Sequence, residues 1–191
     1  DWLGDIPAHW ARTSLKRIVS VRGRIGFRGY TTDDLVDEGE GALALGGSNL
    51  TKTGRLDLTK RTYLSWFKYE ESPEIKVEPN DLVIGQRGTC GDPVLIDRDI
   101  GPATINPSLV LLKRPTIHSG FLCYWLMGRF VQSIFGTYLS ATAVPMLSQE
   151  QIGDAPVCHP PLPEQVAIAA YLDEETAKLD ALVGKVEEAV E

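Results

Sequence analysis

Along the first 160 positions apolar residues come in short runs between turn-forming residues, and in the last 28 they recur at helical spacing. The runs Ala42–Leu45, Leu82–Ile84, Val94–Ile96 and Leu109–Leu112 are continuous rather than alternating, and Gly, Pro, Asn and Asp bound them. That pattern predicts short buried strands of a mixed sheet. One helix interrupts them, with Ser119 as its N-cap and Gly136 as its stop. Phe121, Tyr124, Trp125, Met127, Phe130, Val131 and Ile134 leave it apolar on almost every side. It reads as a core helix, its aromatic rings packing rather than stacking on bases. Trp66, Phe67 and Tyr69 are expected to pack a short helix after Ser65, and Trp2 and Trp10 to tack the N-terminus to the core. Ser148-Gln149-Glu150-Gln151 has the form of a capping box opening another short helix.

Pro160-Pro161-Leu162-Pro163 punctuates the chain, and its character then changes. Ile168, Leu172, Leu179, Leu182, Val186 and Ala189 follow at spacings of 4, 7, 3, 4 and 3, with Thr176, Val183 and Val190 alongside. This is a coiled-coil-like stripe on a helix of about 28 residues, roughly 42 Å long at ~1.5 Å per residue. Because the stripe continues to the last residues, it predicts a helix that meets another helix; a surface helix folded back on the domain is the alternative. The expected fold class is α+β: a compact mixed-sheet domain with a few helices over residues 1–160, then a long C-terminal coiled-coil helix over 161–191.

Net charge of −7 argues against a nucleic-acid partner until its distribution is considered. Residues 164–191 carry eight acids and two lysines, leaving −1 for the rest. Residues 6–32 contain no acid and six bases, Arg12, Lys16, Arg17, Arg22, Arg24 and Arg28. Lys52, Arg55, Lys60 and Arg61 form a second basic cluster. Three scattered cysteines, Cys90, Cys123 and Cys158, form neither a disulfide framework nor a zinc knuckle and fit a reducing cytoplasm. No run reaches the roughly 20 apolar residues of a membrane span, and no secretory signal pattern opens the chain.

Catalytic motifs are sparse. Asn106-Pro107-Ser108-Leu109 lacks the second proline and the aromatic of an amino-methyltransferase motif and reads as a turn entering a strand. Gly46-Gly47-Ser48-Asn49 has no Gly-Lys-Ser/Thr at phosphate-loop spacing. Glu74-Ile75-Lys76, with Asp57 or Asp81, could be arranged as a metal-dependent nuclease core. So short a pattern arises often by chance, and between Pro73 and Pro79 it reads as a solvated charge pair in a surface loop. Cys158-His159 reads as a strand-end pair, and His9, His118 and His159 suggest no triad. The expectation is a non-enzyme with no metal and no cofactor.

Several segments together resemble the specificity subunits of type I restriction-modification systems. They are Trp2-Leu-Gly-Asp-Ile-Pro-Ala-His-Trp10, the short basic helix at Leu15-Lys16-Arg17-Ile18, Gly46–Leu50, and the hairpin Asn80–Gly91. Ala141, Thr142, Val144-Pro145 and Leu147-Ser148 continue the series, and Pro160-Pro-Leu-Pro-Glu-Gln165 resembles the start of the family's spacer helix. Gln86 and Cys90 depart from the usual hairpin pattern. The resemblance implies a target-recognition domain that reads one half of a split double-stranded DNA site. It further implies methyltransferase subunits and, through them, a restriction subunit as partners, and a second recognition unit or second copy meeting the terminal helix. Family members carry two such units; this chain holds one, which leaves an excised fragment and a half-sized subunit both open.

Under that resemblance, Arg87 is the first candidate for a base contact, since Gly85 and Gly88 let the turn approach DNA and an arginine can grip a guanine edge twice. An arginine shaping its own turn is the alternative. Gln86 and Thr89 share the loop; Ser48, Asn49 and Lys52 offer a second polar loop. Tyr138, Ser140 and Thr142 offer a third, after the core helix. Lys16, Arg22, Arg24, Arg28, Lys60 and Arg61 are candidate phosphate clamps, each weighed against an ordinary solvated charge. The helix interface is expected at Ile168, Leu172, Leu179, Leu182, Val183 and Val186.

Overall fold

The computed structural model describes residues 6–141 and 144–190. Its ten strands are β1 (Ala11–Ser14), β2 (Ser20–Gly23), β3 (Leu35–Val36), β4 (Gly41–Leu45), β5 (Tyr63–Ser65), β6 (Leu82–Gly85), β7 (Pro93–Leu95), β8 (Ala103–Ile105), β9 (Leu109–Lys113) and β10 (Pro156–His159). Its α-helices are α1 (Trp66–Glu70), α2 (Ser119–Met127), α3 (Arg129–Ser140), α4 (Gln149–Gly153) and α5 (Leu162–Val190).

Two four-stranded sheets form the body. One, ordered β2-β9-β6-β7, is antiparallel throughout; the other, β3-β5-β4-β8, is mixed because β4 and β8 run parallel. β1 and β10 pair as a separate ribbon. Alternate residues of β6 and β9 face opposite cores. Leu82, Ile84, Val110 and Leu112 join Leu122, Leu126, Val131 and Phe135 of α2 and α3. Val83, Leu109 and Leu111 join Leu43 and Leu45 of β4 and Ala103 and Ile105 of β8. The antiparallel sheet is thus the middle layer of three, which is why the apolar runs predicted as strands are continuous: both faces are buried. Each fully buried Leu or Ile contributes about 1.5–3 kcal/mol.

The expected core helix is two helices. Gly128 takes an extended conformation (φ −60°, ψ 142°), ending α2 and capping α3, while its N–H donates to Tyr124 O and Trp125 O. Gly136 lies within α3, which runs on to Ser140, and so stops nothing. His118, not Ser119, is the N-cap of α2, its Nδ1 accepting from Phe121 N. The capping box at Ser148 and Gln151 is present with both of its bonds. Phe67 of α1 is 76% exposed, so the expected packing of that aromatic group is only partial.

α5 spans 29 residues and divides along its length. Its first half is rooted on the domain. Gln165 is buried, accepts from His118 N at 2.8 Å and donates to Pro160 O at 2.7 Å. Glu164 accepts from Trp10 Nε1 and pairs with His9 at 2.9 Å. Ala169 packs where Gly120 of α2 leaves room, and Tyr124 donates to Asp173 at 2.7 Å. Trp10 also contacts the rings of Phe121 and Trp125, tacking the N-terminal segment as expected; Trp2 lies outside the described residues. Arg55 meets Asp180 at 3.5 Å, and beyond that latch the helix leaves the domain.

Candidate nucleic-acid interface

Register places five strand ends together. Leu45 of β4 lies beside Ile105 of β8, Gly85 of β6 beside Leu109 of β9, and Gly23 of β2 beside Val110. The short turn Asn106–Ser108 ties the two sheets at this end: Asn106 N donates to Leu45 O, and Gln86 N and Arg87 N both donate to Ser108 O. The loops 46–49, 86–92 and 106–108 therefore share one tip, and a fourth segment, 144–147, joins them. Leu147 N donates to Gln86 O at 3.0 Å, and Arg87 and Met146 form an isolated antiparallel bridge.

Local chemistry explains the shape of the 86–92 turn. A Cβ on Gly85 would lie 1.6 Å from Thr89 O, and Gly88 and Gly91 take φ of +77° and +85°. Only glycine meets those demands without strain. Cys90 donates its thiol to Gln86 O at 3.2 Å, and burial pushes its pKa up, so this sulfur serves as a structural donor. Arg87 is exposed; its Nε donates to Met146 Sδ at 3.1 Å, and among the described residues its two Nη groups make no hydrogen bond. The hydroxyl of Thr89 is buried without a partner, close to Gly47.

The structure sorts the candidate residues. Gln86, Arg87, Thr89, Ser48 and Lys60 converge on the tip, Ser48 and Lys60 with exposed side chains. Asn49 is placed there too, but it is only 3% exposed and holds the loop: Oδ1 accepts from Gly46 N, and Nδ2 donates to Asp57 O and Lys60 O. Its polarity is committed inwards. Arg24 is likewise buried rather than a surface clamp, donating to Ile105 O, Arg28 O and Thr104 Oγ1 beneath the ring of Tyr30. Burial lowers its pKa, and the charges of Tyr30, Glu71 and Glu74 oppose that shift. Arg28 is half-buried against Glu74. Lys16 pairs with Asp154, and Arg61 with Glu38, whose carboxyl is held below its usual range first by the Tyr63 hydroxyl. Arg22 is exposed on the edge strand β2.

Three candidates are moved away. The Thr51–Arg55 hairpin leans on α2 and α5, taking Lys52 with it. Tyr138 and Ser140 belong to α3, not to a loop; Tyr138 is half-buried against the first core and Ser140 donates to Thr137 O. Thr142 lies outside the described residues. The tip residues that sequence reasoning missed are Met146, Asn106 and Ser108. The first is apolar and the others sit in what reads as an ordinary turn, so polarity gave no signal for any of them.

The carboxylates of the alternative nuclease reading are dispersed. Glu74 faces Arg28, Lys76 reaches Glu70 and the Tyr69 ring, and Asp57 accepts from Thr59 N. Asp81 is buried, which raises its pKa, and accepts from Glu78 N and Arg114 N. Among the described residues no three His, Cys, Asp or Glu side chains gather where they could hold a metal ion.

Residues 47–191 match the family model of the type I restriction modification DNA specificity domain. The chain belongs to that family. No curated protein matches it. Among solved structures this specificity domain resembles a chain described under the structural basis of complex assembly and conformational transition of the type I R-M system. That match has a TM-score of 0.71 and 21% identity, over 94% of this chain and 41% of that one. The HsdS subunit from Thermoanaerobacter tengcongensis gives 0.66 and 22%, over 94% and 40%. The type I restriction-modification system S subunit from M. genitalium gives 0.57 and 15%, over 92% and 43%. At these identities the likeness is one of fold. The specificity domain spans about two fifths of the length of each of those chains.

Proposed function

We propose that residues 1–160 form a target-recognition domain that reads one half-site of double-stranded DNA, and that residues 161–191 form the spacer helix joining it to a second recognition unit or a second copy. In this reading the chain is a non-catalytic, cytoplasmic component. Methylation belongs to methyltransferase subunits bound to it, cleavage to a restriction subunit recruited through them, and the domain needs no cofactor or metal. The observation that carries the reading is the sheet tip, where Ser48, Lys60 and Arg87 stand exposed beside the half-buried Gln86 in a member of a DNA specificity family. Sequence readers need polar groups at base edges and cations near phosphates, and this tip offers both.

Charge supports the division. α5 is acidic and would be repelled by phosphates, so its outward apolar face suits protein. Leu179, Leu182, Val183 and Val186 are 56–62% exposed and make up that face, whereas Ile168 and Leu172 are half-buried on the domain side. No described helix is long and apolar enough to cross a membrane.

Selection from a randomised duplex pool tests the reading, using the assembled complex that contains this chain. Enrichment of a fixed short sequence is expected. Recovery of a pool as random as the input removes the DNA-reading assignment.

A further inference from the structure

Resting on that reading, we propose that Met146 is a positioning residue for specificity: its thioether holds Arg87 so that the guanidinium meets DNA end-on and selects guanine. Three observations converge. Backbone register fixes the pair, because Leu147 N donates to Gln86 O and Arg87 bridges Met146 across the short ladder. The side chains then meet, Arg87 Nε donating to Met146 Sδ at 3.1 Å. Finally, the opposite flank is fixed by Ser108 O, which accepts from Gln86 N and Arg87 N, so the turn has little freedom to swing away.

The geometry has a chemical consequence. A guanidinium can present a carboxylate-like pair of acceptors with two edges: one made of Nε and one Nη, the other of both Nη groups. With Nε occupied by sulfur, only the second remains, and it lies at the far end of the side chain. That edge carries parallel donors matched to O6 and N7 of guanine in the major groove, and adenine, with a donor at the equivalent of O6, cannot accept both. Sulfur is a weak acceptor, so it orients the group without neutralising it. It also adds no second hydrogen-bonding specificity of its own, which a carboxylate or amide at this position would.

The test is a double-mutant cycle in the assembled complex. The probes are the duplex selected from the random pool, its single-base variants and an unrelated duplex. Met146→Leu keeps volume and removes the acceptor, a swap that cores tolerate. Discrimination at one G·C pair is expected to fall roughly two- to tenfold, the range of a single lost hydrogen bond. Affinity for the unrelated duplex and the melting temperature should stay unchanged. Arg87→Ala should abolish discrimination at that same pair, and Met146→Leu should then add nothing. Equal effects of Met146→Leu in the presence and absence of Arg87 would overturn the proposal, as would unaltered discrimination in the single variant. A melting temperature lowered along with affinity for every duplex would overturn it too, reducing Met146 to a packing residue. These failures differ from failure of the DNA-reading assignment, which is seen earlier as a pool without enrichment.

Discussion

At the root of α5, Gln165 is buried and gives both ends of its amide to the fold, whereas at the tip of β6 Arg87 is exposed and, among the described residues, only its Nε is engaged. Each belongs to a polar stretch of similar composition, Pro-Glu-Gln in one case and Gln-Arg-Gly in the other. What separates them is how many of their donors and acceptors the protein itself consumes. Polar side chains with all groups paired inside the fold set geometry; those left with donors facing water are the ones a ligand can use. Asn49 and Ser48 repeat the contrast side by side, one with three bonds to backbone and the other exposed.

Substitutions at both ends break or sharpen that comparison. Gln165→Leu removes the acceptor of His118 N–H and one of two contacts to Pro160 C=O, which His159 Nδ1 also meets at 3.2 Å. It should destabilise the domain by about 2–4 kcal/mol and lower Tm by roughly 4–16 °C in calorimetry. An unchanged Tm would mean that the helix root is held by something else. Asn49→Ala should cost about 1–3 kcal/mol and weaken binding to all duplexes alike, because Ser48 and Lys60 lose their common anchor. Loss confined to one sequence would instead place Asn49 against a base. Leu179→Asp with Leu182→Asp should move stability by no more than about 0.5 kcal/mol while abolishing association in sedimentation velocity. If association survives, the outer stripe is not the interface. Lys60→Ala, the mildest change, should reduce the slope of log affinity against log salt by about 0.9 and leave sequence preference intact.

Sequence patterning was most informative where burial is two-sided. β6 and β9 form uninterrupted apolar runs because each residue faces one core or the other, and β7 follows the same logic with Val94 and Leu95; β4 sends Leu43 and Leu45 into the second core and buries Ala42 and Ala44 on its other face. β1, β2, β3 and β5 are short and partly exposed, so their composition resembles that of loops. The break at Gly128 was hidden because apolar residues continue on both sides of it, and the more conspicuous Gly136 drew the helix end to itself. Among the site residues, the turn around Arg87 was legible through its glycines. Arg24 and Asn49 were misread as surface groups because a basic or amide side chain gives no sign in sequence of the backbone carbonyls waiting for it. The division of α5 into a rooted and a free half was likewise invisible, since Ile168 and Leu179 occupy the same stripe and differ only in whether α2 lies opposite.

A middle sheet sealed on both faces has a practical corollary for redesign. Positions 47–48, 86–89 and 144–146 cap strands whose packing does not depend on them, apart from the glycines that shape the turns. Libraries confined to the non-glycine positions among them should therefore yield folded variants at high frequency. New preferences could then be sampled on an unaltered chassis, with each tip tuned separately from the helix that spaces it.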